Sequence, residues 1–175
     1  LVIPSAATDA DGTTGGVFGS ALVSQELYRA ADLGGLQPGQ LIYGFALRMD
    51  GPATTAYGNG QDQSFARFDV RMGVAVANLG SDLAANFASA PVTVRTGSWE
   101  IADGDFEINT ATTAPFCPTI MFDTPYVYTG GDLLIEVRSS MPTLALGIDS
   151  CAFPQTDGES TFAVGDADAT TATLQ

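Results

Sequence analysis

Phe68-Asp69-Val70-Arg71-Met72-Gly73-Val74-Ala75-Val76 is the stretch that decides the fold class. Phe68, Val70, Met72, Val74 and Val76 fall on one side of an extended chain, while Asp69, Arg71, Gly73 and Ala75 fall on the other. A period of two belongs to a half-buried strand, because successive side chains of a strand point to opposite faces. Leu41, Tyr43, Phe45, Leu47 and Met49 repeat the pattern. So do Leu133, Ile135 and Val137, alternating with Leu134, Glu136 and Arg138, and then Leu144, Leu146 and Ile148. Shorter strand candidates are Val23–Leu27, Val92–Arg95, Trp99–Ile101, Phe106–Ile108, Ile120–Phe122 and Phe162–Val164.

Turn-forming clusters separate these runs: Gly34-Gly35, Pro38-Gly39, Asp50-Gly51-Pro52, Gly58-Asn59-Gly60, Asp103-Gly104-Asp105, Gly130-Gly131 and Asp157-Gly158. About ten short strands at such spacing predict an all-β chain, an antiparallel β-sandwich of jelly-roll type with little helix. Helix is expected only as a turn or two at Tyr28–Leu33 and Ser81–Phe87. Residues 1–16 read as an N-terminal arm, an apolar Leu1-Val2-Ile3 end followed by turn material, and residues 17–175 as one sandwich domain.

The 175 residues carry 20 Asp+Glu against 6 Lys+Arg, a formal charge of −14, and only 15% are charged. Such a surface repels phosphate backbones and anionic lipids, so nucleic acid is excluded as a partner. There is no His, and all six basic residues are Arg. His-based triads, His-ligated zinc, Schiff-base lysines and P-loop lysines are therefore excluded. No apolar run approaches the roughly 18 residues of a membrane helix. Leu1, with no Met before it, reads as the product of signal-peptide removal, which places the chain outside the cell or at its surface.

Export gives the two cysteines a meaning. Cys117 and Cys151, each close to a Pro, are expected to form a disulfide, which the chain-entropy model values at about 4 kcal/mol. Three clusters bear on ligands. Asp9 with Asp11, and Asp166 with Asp168, give the D-x-D spacing that calcium ligation uses, although Thr13-Thr14 and Thr170-Thr171 stand where an EF-hand needs Asp/Asn and Gly. Asp is also the ordinary turn residue, so no cofactor is the base expectation and calcium the one ion these turns could hold. Trp99, Tyr126 and Tyr128 are candidate sugar contacts, against the commoner fate of aromatics as core. Glu100, Asp103, Asp105 and Glu107 crowd one segment, but Gly104 between them reads as a turn and not as a glycosidase's carboxylate strand.

Several segments in order resemble a known group. They are Ser24-Gln-Glu-Leu-Tyr-Arg-Ala-Ala-Asp-Leu33, Ile42-Tyr-Gly-Phe-Ala-Leu-Arg-Met-Asp50, Phe65-Ala-Arg-Phe-Asp-Val-Arg-Met72, Ser81-Asp-Leu-Ala-Ala-Asn-Phe-Ala88 and Thr93-Val-Arg-Thr-Gly97. The most specific is Phe122-Asp-Thr-Pro-Tyr-Val-Tyr-Thr-Gly-Gly-Asp-Leu-Leu-Ile-Glu-Val137. Residues 20–138 thereby resemble the secreted β-sandwich domains of environmental bacteria that often carry a PEP-CTERM sorting signal, although the Pro-Glu-Pro motif itself does not occur in this sequence. The resemblance implies an exported protein of the cell surface or biofilm matrix and brings no catalytic motif.

The function expected from all this is a non-catalytic extracellular structural protein, a matrix component or the subunit of a surface filament. Its partners are copies of itself, joined by β contacts in which Leu1, Val2 and Ile3 dock on a neighbour. The alternative is a carbohydrate-binding or adhesive module, calcium-dependent in one form, with extracellular polysaccharide as partner. A carboxylate-based glycoside hydrolase is the second alternative.

Overall fold

The computed structural model describes residues 13–16, 20–47, 60–106, 115–143, 150–152 and 160–174, and for a few strand residues the backbone only. The chain is all-β, with strands β1 (Thr13–Gly16), β2 (Leu22–Tyr28), β3 (Leu41–Phe45), β4 (Gln63–Phe65), β5 (Phe68–Val74), β6 (Val92–Arg95), β7 (Trp99–Ile101), β8 (Ile120–Val127), β9 (Leu133–Ser139), β10 (Ser150–Ala152), β11 (Ser160–Val164) and β12 (Thr173–Leu174). All pairings between them are antiparallel. One six-stranded sheet runs β12-β11-β2-β9-β5-β6, and β1-β10, β3-β8 and β4-β7 form separate pairs. A single 3-10 turn at Ala30–Asp32 is the one named helical element among the described residues. No described helix is long and apolar enough to cross a membrane.

The decisive stretch becomes β5, seated inside the sheet between β9 and β6. Phe68, Val70 and Met72 are wholly buried, and each removes enough apolar surface from water to contribute about 1.5–3 kcal/mol. They join Val94, Leu133 and Val137 from the sheet, Ile120, Phe122 and Tyr126 from β8, and Phe65 and Ile101 from the β4–β7 pair in one core cluster. Partly buried Ile42 and Phe45 of β3 pack against it.

The alternation breaks at Gly73. A Cβ there would sit 2.8 Å from the Phe87 ring, so Gly73 is the gap into which Phe87 packs. Phe87 belongs to a second, smaller cluster on the opposite face of the sheet, with Leu27, Ala75, Leu79 and Leu134. The sequence pattern describes a strand with one wet face; in the fold both faces of β5 and β9 are covered.

The cover comes from residues 79–88 and 166–172, which are stitched to each other by Leu83 N–H to Thr170 O and Ala172 N–H to Ser81 O. Ser81–Phe87 is thus a turn assembly and not the expected helix. Its polar side chains compete for the backbone: Asp82 accepts from the N–H groups of Ala84 and Ala85, and Asn86 accepts from Gly80 N–H and donates to Gly80 O. The expected helix at Tyr28–Leu33 shrinks likewise to the 3-10 turn, with Tyr28 ending β2. Thr13–Gly16, expected as part of the arm, is strand β1 and pairs with β10 of the same chain. The candidates at Leu144, Leu146 and Ile148 lie outside the described residues.

Candidate functional site

Across the middle of the sheet, Gln25 of β2, Glu136 of β9 and Arg71 of β5 stand side by side in register. Glu136 is 0% exposed. Its carboxylate accepts from Gln25 Nε2 at 2.8 Å, from Arg71 Nε at 2.7 Å and from Arg138 Nε at 2.6 Å. Asn86 donates to Gln25 Oε1 at 2.7 Å, and Gln25 also donates to Leu83 O at 2.8 Å, which ties the covering loop to the network. Arg138 reaches on to the carbonyls of Ala167 and Ala169. A buried carboxylate is tolerable only when paired and hydrogen-bonded in this way. The network locks strands and cover together, and its charged groups are spent on one another. The sequence signal for it was a lone Glu among the apolar residues of Leu133–Val137, in register with an Arg on the polar side of β5.

A cleft of about 280 Å³ lies between β7 and the start of β8, lined by Arg95, Trp99, Glu100, Asp105, Cys117 and Thr119 among others. Trp99 is half-buried and held by two rings. It lies nearly parallel to Phe65, with centroids 5.5 Å apart, and tilted against Phe68 at 4.6 Å. Arg95 is fixed by donating to Phe68 O at 2.8 Å and Ser98 O at 2.6 Å. Asp105 accepts from Ala102 N–H at 2.8 Å. Cys117 forms part of the wall. It is buried, burial pushes its thiol pKa up, and its sulfur accepts Leu47 N–H at 3.3 Å. A thiol so placed stays protonated and unreactive at neutral pH.

The third feature is the outer face of the β3–β8 ribbon. Leu41 and Val127 are opposite one another and 44% and 50% exposed, while Tyr43 and Met121 are 55% and 58% exposed. The register slips inside this ribbon: Ile42 faces Tyr126 but Gly44 faces Met121, so β8 bulges over Phe122–Pro125. Pro125, lacking an N–H, suits a bulge. Gly44 is required where the ladder resumes, since a Cβ there would strike the Ile120 carbonyl.

The residues singled out from the sequence are placed as follows. Trp99 lines the cleft, with Glu100 and Asp105, and Asp103 is outside it. Tyr126 and Tyr128 are each 4% exposed and belong to the core, away from the cleft lining. Burial raises the pKa of both, and Tyr128 donates its hydroxyl to Gly131 O at 2.7 Å. Cys117, expected to pair with Cys151, is a free thiol in this structure, and the Cys151 side chain lies outside the described residues. Asp166 accepts from Asp168 N–H at 2.8 Å, and Asp168 accepts from Arg67 at 2.6 Å.

Other aspartates do the same work as Asp166. Asp62, Asp69 and Asp123 accept from the backbone N–H groups of Asp103, Gly97 and Thr96. Among the described residues no three of His, Cys, Asp or Glu gather closely enough to hold a metal ion. Leu1, Val2, Ile3, Asp9, Asp11 and Glu107 lie outside the described residues. One buried side-chain oxygen among those described, Ser139 Oγ, has no hydrogen-bond partner; it sits opposite Phe68 and does not line the cleft.

Scans of the chain against protein-family models, curated proteins and solved structures find no match.

Proposed function

We propose that the chain is a non-catalytic extracellular structural protein that assembles with copies of itself, as a matrix component or filament subunit, and that its layers make up an antiparallel sandwich of jelly-roll type. The observation that carries this reading is the apolar outer face of the β3–β8 ribbon: Leu41, Tyr43, Met121 and Val127, spread over two neighbouring strands. Scattered surface apolar residues are ordinary, but four large ones exposed on one two-stranded ribbon mark a contact surface. A subunit joined to its neighbour through such a face and through a different patch propagates without closing. Export and location at the cell surface rest on the resemblance of residues 20–138.

Electron microscopy and sedimentation of the full chain test the reading. The chain should form regular fibres, sheets or oligomers, and the pair Tyr43→Asp and Met121→Asp should disperse them with the circular dichroism unchanged. Monodisperse monomers at high protein concentration would sink it. A docking role for Leu1–Ile3 is tested by removing residues 1–12 only, because a deletion to residue 16 also takes β1 from its pairing with β10.

A further inference from the structure

We propose that the cleft between β7 and β8 binds a single residue of a neutral sugar, at a site that adjoins the self-assembly surface through Met121, which lines both. The volume, about 280 Å³, lies just under the range of ordinary ligand pockets, which run from about 300 Å³ upward, and is matched to one pyranose ring better than to a peptide or a nucleotide. The lining is mixed in a particular way. Trp99, Ile101, Phe106 and Ile120 supply apolar wall, while Glu100, Asp105 and Thr119 supply oxygen atoms at its rim.

Charge selects among ligand classes. An anionic group would meet two carboxylates, and the one cation present, Arg95, already donates from both terminal nitrogens to main-chain carbonyls. A cationic group would be drawn by the two carboxylates and opposed by the Arg95 guanidinium beside them, which is why choline stands among the probes. A neutral polyol meets neither penalty, because its hydroxyls donate to the Glu100 and Asp105 carboxylates and its C–H face lies on the aromatic wall.

The site is also pre-organised. Trp99 is held against the Phe65 and Phe68 rings, Arg95 is tied at two points and Asp105 is fixed by Ala102 N–H, so little order remains to be imposed on binding. The two tyrosines that the sequence offered as sugar contacts are core residues; the carboxylates are the better partners of Trp99.

The chain has a single Trp, so its emission and its one indole N–H resonance report on this cleft alone. The full-length protein is titrated in turn with glucose, galactose, mannose and N-acetylglucosamine, and with glucuronate and choline as charged probes. At least one neutral sugar should shift both Trp99 signals saturably. Glu100→Gln, at an exposed strand position, should weaken that binding about tenfold or more, while Tyr43→Asp on the ribbon should leave it unchanged. No response to any neutral sugar in the folded protein overturns the proposal, as does a response to glucuronate or choline alone, or binding that Glu100→Gln leaves intact. Loss of self-assembly in Tyr43→Asp with sugar binding retained separates the failure of one proposal from that of the other.

Discussion

Glu136 shows how much one side chain can hold. Among the described residues it is the only acid bonded to both Arg71 and Arg138, and it lies under the cover formed by residues 79–88 and 166–172. Glu136→Gln keeps the shape and one acceptor but removes the charge that both guanidiniums face. Breaking a buried pair costs more than the pair contributes, because the surviving charge is left without a partner. Arg71 and Arg138 retain 31% and 15% of their side-chain exposure, which softens the penalty. For Glu136→Gln the expected loss is about 3 kcal/mol in urea unfolding, at the low end for buried ion pairs. A change under about 1 kcal/mol would show that the network is a surface pairing in energetic terms.

At the scale of elements, the chain's passage from β8 to β9 is set by Tyr128, Gly130, Gly131 and Asp132. Both glycines have positive φ, 96° and 80°, which lets the chain leave the ribbon and enter the sheet. Asp132 then clamps the end of β2. Its carboxylate accepts Ala30 N–H and Arg29 Nη1, each at 2.9 Å, and these bonds, the backbone one foremost, hold its pKa below the usual value despite partial burial. A lowered folded-state pKa means stability that is present above the unfolded value, near pH 4, and is lost as pH falls through the folded value. Asp132→Asn should therefore be less stable than wild type at pH 7, and the gap should shrink as pH falls below the unfolded value and through the folded one. Urea midpoints at pH 7 and in acid check it; an equal gap at both would assign the effect to packing.

The same scale shows what was legible beforehand. Val92–Arg95 and Trp99–Ile101 were readable to the residue, and β2, β5 and β9 nearly so, because their side chains still alternate in size or polarity from one face to the other, even where the second face is covered as well. β8 runs on to Val127, well past its readable start, since the bulge at Phe122–Pro125 breaks the period. β4 and β12 are too short to show any period. The Ser81–Phe87 helix was misread because its Ala and Leu content mimics one, while Asp82 and Asn86 take the backbone bonds a helix needs. Of the cleft, Trp99 was legible. Its meeting with Glu100, Asp105, Arg95 and Thr119 was not, because it depends on how β7 and the start of β8 come together, which no local pattern encodes.

For the molecule as a whole the sign and placement of charge matter most. Each of the five described arginines, 29, 67, 71, 95 and 138, is bonded inside the chain to a carboxylate or to main-chain carbonyls. A formal charge of −14 thus faces a neighbour of the same charge when two copies meet. Association through the apolar ribbon has to overcome that repulsion, which acts over a Debye length of about 10 Å at 0.1 M salt and about 3 Å at 1 M. Salt screens the repulsion and leaves an apolar contact in place. Self-association should therefore strengthen as sodium chloride rises from low to high concentration, and the Tyr43→Asp, Met121→Asp pair should remain dispersed throughout. Sedimentation across a salt series reads this directly. Weakening with salt would mean that the copies meet through ion pairs, and would move the contact surface away from Leu41, Tyr43, Met121 and Val127.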